Sequence, residues 1–233
     1  MLHVRTLTTV LAVVIFVAGC SPDVPAVVEA TDPAPALSAD PITDGLTAHR
    51  PAVPGVHGLI TAGHPLASMA GMRILMQGGT AADAAVAVLA TLNQVEPMMS
   101  GAGGNGFMTI YDAETAHVYS LNATGAAPKG LDAVTITPDE LNRGMKAGVV
   151  PGLLGGWIAM LERFGTMTLG QVLEPAIEYA ERGHPLNAFV ANSITRSREL
   201  FERYPSTAAL FLPGGKPPVE GQLFRYPDLA RTF

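Results

Sequence analysis

Residues 81–94 read Ala-Ala-Asp-Ala-Ala-Val-Ala-Val-Leu-Ala-Thr-Leu-Asn-Gln, a helix-forming run with no polar face. A helix that is apolar on nearly every side must be buried on nearly every side, so other elements have to surround it. Its start is written into the chain: Gly78-Gly79 stops whatever precedes, and Thr80-Ala-Ala-Asp83 has the spacing of a capping box. Pro97 ends it. Just before it, apolar residues at 66, 69, 72, 75 and 76 have helical spacing and predict a helix over Leu66 to Gln77. Gly58 to Ala62, a short apolar run ahead of Gly63 and Pro65, is expected to be a strand.

Downstream, Phe107 to Tyr111 and His117 to Leu121 are β-type segments separated by polar residues, which predicts a hairpin. Beyond Pro138 the chain is mostly helical. Gly152 to Phe164 ends at Gly165, Leu169 to Arg182 ends at Gly183, and Asn187 to Arg203 ends before Pro205. A last helix starts near Pro227-Asp228 and has no C-cap before Phe233. The expected class is α+β, rich in helix, with no internal repeat and no coiled-coil heptads.

The two ends of the chain differ in kind. Met1 to Leu7 carry one firm positive charge, Arg5, and Thr8 to Val17 form an uncharged apolar run. Val17-Ala18-Gly19-Cys20 follows at once. That is the layout of a secretory signal, too short for a bilayer-spanning helix of about 20 residues. An apolar residue and two small ones directly before a cysteine resemble the lipobox of bacterial lipoproteins, in which cleavage precedes a cysteine that then carries lipid. Residues 1–19 are thus expected to be a lipoprotein signal peptide and Cys20 the lipidated residue. Ser21 in place of an aspartate favours the outer membrane, so the protein is expected to be exported, lipid-anchored and facing the periplasm. Residues 20–56 hold seven prolines, among them Pro22, Pro33 and Pro54, and five acids with no lysine. Proline at that density favours extended chain without regular structure, a tether that stands a domain at 57–233 off the membrane.

Composition removes several classes of function. With 14 Lys+Arg against 20 Asp+Glu and a net charge of −6, nucleic acid is not an expected partner. A single cysteine excludes an intrachain disulfide framework and a cysteine-rich zinc site. The six histidines include no i,i+4 pair, so no metal and no cofactor is expected. Gly101-Ala-Gly103-Gly-Asn-Gly106 matches the spacing of a dinucleotide loop. That loop needs a strand before it and a helix after it, and here the order is reversed. The glycines are better read as a tight turn that lets two segments approach closely. Ser100 lacks the surroundings of a nucleophile elbow. Asp83 and Glu96 are a helix-capping and a helix-end acid. Arg196, Arg198 and Arg203, alternating with Glu199 and Glu202, form a solvated face.

Longer stretches carry a resemblance that no single motif does. Ala62-Gly-His-Pro-Leu-Ala-Ser-Met-Ala-Gly, Leu75-Met-Gln-Gly-Gly-Thr-Ala-Ala-Asp, Val95-Glu-Pro, Ser100-Gly-Ala-Gly-Gly-Asn-Gly-Phe-Met, Val150-Pro-Gly, Phe164-Gly-Thr-Met-Thr-Leu and Glu174-Pro-Ala-Ile-Glu-Tyr-Ala-Glu-Arg-Gly occur in one order. Together they resemble the gamma-glutamyltransferase (glutathione hydrolase) family over essentially all of 57–233. The resemblance implies an N-terminal-nucleophile hydrolase fold with αββα layers, made as a precursor that cleaves itself into a large and a small subunit. It implies cleavage of γ-glutamyl amides, as in glutathione metabolism, by the small subunit's N-terminal threonine, which lies beyond this chain.

On that reading the chain is the N-terminal, large-subunit portion, incomplete at its C-terminus, with no catalytic residue of its own and no activity alone. Its partners are the small subunit, a small peptide or γ-glutamyl substrate, and the membrane through Cys20. The family's arginine for the substrate α-carboxylate falls where this chain has Thr124, Gly125 and Ala126, none of them a cation. Another acyl group is therefore expected. The alternative is a non-catalytic truncated lipoprotein that binds a small peptide or a separately encoded small subunit.

Overall fold

The computed structural model describes residues 26–29 and 53–233, apart from 133 and 143. The expected signal peptide, Cys20 and most of the expected tether lie outside the described residues.

Two helices open the main body. α1 (Pro65–Met76) begins at His64, whose Nδ1 accepts from the Leu66 amide at 3.2 Å. α2 (Ala81–Val95) starts on the predicted capping box: the Asp83 amide donates to Thr80 Oγ1, and the Thr80 amide donates to Asp83 Oδ2. Only Ala81 of α2 is exposed, as its sequence requires. α4 (Leu153–Phe164) and α5 (Leu169–Arg182) end at Gly165 and Gly183, and α5 carries a second capping box, Thr168 with Gln171. Thr168→Ala removes that reciprocal pair and is expected to cost about 1 kcal/mol in a thermal or urea unfolding experiment. No measurable loss would mean that tertiary packing alone sets this helix start.

The hairpin forms between β2 (Phe107–Asp112) and β3 (His117–Asn122), in the register Phe107↔Asn122 to Asp112↔His117. Its inner face sends Met108, Ile110, Tyr119 and Leu121 towards the helices. Its outer face leaves Phe107, Thr109, Tyr111 and Ser120 exposed. Val86 of α2, Leu121 of β3, Trp157 and Met160 of α4 and Leu173 of α5 meet in the first core. Each fully buried large side chain there contributes about 1.5–3 kcal/mol. Cross-links tie the helices: Gln94 Nε2 donates to the Ala176 carbonyl at 2.7 Å, and Arg73 pairs with Glu178 at 2.7 Å.

A second core forms around the C-terminal end of α5. It gathers Ala180, Leu186, Val190, Ile194, Leu212, Phe224, Tyr226 and Ala230. These come from α6 (Ala188–Arg196), from a two-residue ladder between β4 (His184–Pro185) and β5 (Leu223–Phe224), and from α9 (Pro227–Thr232). Smaller helices α3 (Pro138–Asn142), α7 (Arg198–Glu202) and α8 (Pro205–Phe211) and two 3-10 turns, Met145–Ala147 and Pro213–Gly215, complete the described elements.

Three expectations need correction. Residues 58–62 form no strand: among the described residues they pair with no edge, and Ile60 packs against the first core. The helix expected over 187–203 is two, α6 and α7, divided at Ser197 (φ −92°, ψ 5°). The break keeps the Arg198–Glu202 ion pair in water while Phe201 stacks on Phe211, ring centroids 5.2 Å apart. Lastly, the stretch expected to be an irregular tether is not wholly irregular. β1 (Ala26–Glu29) pairs antiparallel with β3, Ala26↔Asn122 to Glu29↔Tyr119, making β3 the central strand of the order β1-β3-β2.

Candidate functional site

Three segments converge beyond the open end of the hairpin. The ladder continues one pair past the strands, with the Ala123 amide donating to the Gly106 carbonyl at 2.9 Å. The Gly104 carbonyl accepts from the amides of Gly152 and Leu153 at 3.2 and 3.1 Å, so the glycine loop seats the first turn of α4. The Val150 amide donates to the Ala126 carbonyl at 2.9 Å. At this crossing Gly125 and Gly152 are space-limited: a Cβ on Gly125 would lie 1.3 Å from the Val150 carbonyl oxygen, and one on Gly152 would lie 2.6 Å from that of Ala123. The loop is a close-approach device between α2 and β2, with no helix after it to face a phosphate.

Beside this junction lies a cleft of about 490 Å³. Its walls are the C-terminal turn of α2 (Leu89, Leu92, Glu96), residues 97–101, residues 104–106, Phe107 and Met108 of β2, and Leu153. The walls are mostly apolar, and Glu96 is their one charged residue. Ser100 reaches the cleft, and its Oγ accepts from Asn93 Nδ2 at 3.1 Å. Among the described residues no base takes the Ser100 proton, so this hydroxyl has no activated-nucleophile geometry. Thr124, Gly125 and Ala126 adjoin the junction without lining the cleft. Thr124 and Ala126 are exposed, and the Thr124 amide donates to Asn122 Oδ1 at 2.9 Å.

Asp83 is fully buried at the other end of α2 and has a structural task. Besides capping, it accepts from the amides of Thr166 and Met167 and from the Thr166 hydroxyl, all at 3.0–3.2 Å, binding the α4–α5 loop to α2. Burial pushes its carboxyl up, but the bonds from Thr80, Thr166 and Met167 outweigh that and hold it below the usual carboxylate range.

A group that local spacing could not reveal lies where α1, α2 and the second core meet. His64 and His184 are far apart in sequence yet close enough for their charges to repel, and Glu96 acts on His64 from the end of α2. His184 stacks on Tyr226. Burial lowers the His64 imidazole, with Glu96 opposing, and burial together with His64 brings His184 down to about 4. Among the described residues no set of three or more His, Cys, Asp and Glu is arranged to hold a metal ion.

Comparison with known proteins gives one consistent outcome. The family profile described as Gamma-glutamyltranspeptidase matches residues 67–233. The chain is 38% identical over 195 residues to the glutathione hydrolase proenzyme of Bacillus subtilis (strain 168), covering 77% of this chain and 32% of the relative. It is 40% identical over 191 residues to the acylase ACY 1 proenzyme of Pseudomonas sp. (strain V22), covering 77% and 34%. The crystal structure of Helicobacter pylori gamma-glutamyltranspeptidase superposes with a TM-score of 0.75 at 35% identity, covering 78% of this chain and 54% of that one. The chain spans about a third of the length of the curated relatives it matches.

Proposed function

The chain belongs to the gamma-glutamyltranspeptidase family, and from that premise we propose that it is the large-subunit portion of an amide-cleaving proenzyme. Its fold is the helix-rich part of an N-terminal-nucleophile hydrolase. On this proposal the reacting threonine belongs to a small subunit made from the same precursor. Its hydroxyl attacks the acyl carbon of the amide, and its α-amino group takes the hydroxyl proton and delivers it to the leaving amine. Water or an acceptor amine then resolves the acyl-enzyme ester. The observation that carries this reading is the match over 67–233, a range that includes the glycine loop, the 149–153 segment and both capping boxes. Ser100 without a base agrees with it: the 233-residue chain alone is expected to hydrolyse nothing.

The acyl group is proposed to lack a free α-carboxylate. The slot at Thr124, Gly125 and Ala126 offers no cation, and the neighbouring cleft carries only the negative Glu96. A carboxylate would meet no charge-assisted partner there, and an apolar or neutral acyl chain suits the walls better. The proposed location is periplasm-facing, on the outer membrane, tethered through lipid on Cys20.

The test is to express the chain alone and joined to the small subunit encoded by the same gene. The chain alone is expected to release no p-nitroaniline from γ-glutamyl-p-nitroanilide; release would overturn the proposed division of labour. The joined protein is expected to cleave itself ahead of a threonine. Against γ-glutamyl-p-nitroanilide it should show a kcat/KM roughly 10- to 100-fold below an arginine-bearing relative, the value of one lost charge-assisted contact. Equal rates would overturn the acyl-group reading.

A further inference from the structure

His184 is 1% exposed, and neither of its ring nitrogens has a hydrogen-bond partner within the protein. Its ring lies parallel to that of Tyr226, 3° between planes and 6.1 Å between centroids. The Tyr226 hydroxyl is likewise buried without a partner. A neutral imidazole tolerates such a place because its apolar ring gains from stacking. An imidazolium does not, because a buried charge without counter-charge or acceptor is among the most costly groups a fold can hold.

Among the described residues no acid acts on His184. From the α1 cap the facing group is His64, itself a base. From the end of α2, Glu96 acts on His64 and not on His184. Arg182 at the end of α5 and Arg225 beside β5 are cations, with Arg225 Nε donating to the Arg182 carbonyl at 3.2 Å. Tyr226 presents its ring. The joint around His184 is also slight. β4 and β5 share two residue pairs, extended by the Leu186 amide on the Gln222 carbonyl at 3.0 Å and the Tyr226 amide on the Ala180 carbonyl at 2.9 Å. Ile177 of α5 borders both cores, and Phe233 after α9 packs against the first core with its ring 6.2 Å from that of Trp157.

We propose that the His184–Tyr226 stack is an acid-labile latch inside the second core: while His184 is neutral β4 and α6 stay closed on β5 and α9, and protonation of His184 parts residues 184–194 from residues 222–230. The sign follows from linkage. Burial and the neighbouring His64 bring the folded imidazole to about 4 from the ordinary 6.5, so the open form binds the proton more tightly. Closure is fully stabilised above about pH 6.5 and loses that stabilisation as pH falls towards 4. At pH 5 the opening equilibrium should be about 30-fold more favourable than at neutral pH. Asp83 titrates in a lower window, below the ordinary 3.8, and does not contribute at pH 5. This latch is independent of the proposed acyl chemistry.

Amide hydrogen exchange of the 233-residue chain at pH 7.5 and pH 5, corrected for intrinsic rates, tests it. Residues 184–194 and 222–230 are expected to lose protection by about 30-fold while α2 changes little. His184→Phe keeps the stack without a titrating nitrogen and should remove most of the difference, leaving only the share of His64, whose imidazole burial also lowers. Equal loss in α2, or an undiminished difference in His184→Phe, would overturn the latch. Should that variant not fold, the titration of the His184 ring followed by NMR in the unaltered chain decides. A midpoint well below 6.5 supports the latch, and one at 6.5 or above overturns it.

Discussion

Asp83→Ala is expected to lower the unfolding free energy by about 3–5 kcal/mol, a large share of the stability of a domain this size. The carboxylate is the acceptor for the amides of Thr80, Thr166 and Met167 and for the Thr166 hydroxyl. The Thr80 hydroxyl divides its single proton between Asp83 Oδ2 and the Phe164 carbonyl. Truncation strands several donors at once, each worth roughly 1–3 kcal/mol where water cannot reach. Asp83→Asn keeps one acceptor oxygen and should lose about half as much. Because its partners hold the carboxyl below the ordinary 3.8, the stabilisation is fully present above that value and fades as pH falls through the folded one. Urea unfolding followed by the fluorescence of buried Trp157 measures the loss. A change under 1 kcal/mol at pH 7, or one that stays constant down to pH 2, would show that the loop does not depend on this carboxylate.

Gly125→Ala is expected to cost about 3 kcal/mol and to displace the 149–153 segment. A methyl group cannot sit 1.3 Å from the Val150 carbonyl oxygen, so one backbone must move by more than an ångström. That movement breaks the Val150–Ala126 bond and pulls the Gly152 and Leu153 amides off the Gly104 carbonyl. The damage reaches the start of α4 and with it the wall of the cleft. Gly101→Ala serves as the control, since a Cβ there meets nothing within 4 Å and should change stability by less than about 0.5 kcal/mol. Equal unfolding midpoints for the two variants would mean that the close approach carries no energetic weight.

The Thr124–Ala126 slot gains a physical meaning from this geometry. The sequence shows only that no cation stands there. The structure adds that Gly125 is where two backbones touch, so packing there leaves no room for a side chain. What could be read locally was the turn character of Gly101–Gly106 and the absence of a nucleotide-binding context. Two things were hidden: that Gly104 seats the first turn of α4, and that His184, far from His64 in sequence, comes within reach of its charge.

The chain by itself determined the features that depend on neighbours a few positions away. Thr80 with Asp83 and Thr168 with Gln171 set helix starts, Gly165 and Gly183 set helix ends, and the all-round apolar run of α2 required burial before any partner was known. These are interactions across three or four residues, and their spacing is visible in the sequence. Tertiary structure alone decided whether a β-competent stretch found an edge. Residues 58–62 did not, whereas Ala26–Glu29, inside a proline-rich stretch, paired with β3. It also decided that Ser197 breaks a helix so that Phe201 can reach Phe211, and that His184 is buried without a hydrogen-bond partner. Such outcomes depend on groups distant in sequence meeting in space, and no local period or cap encodes that distance.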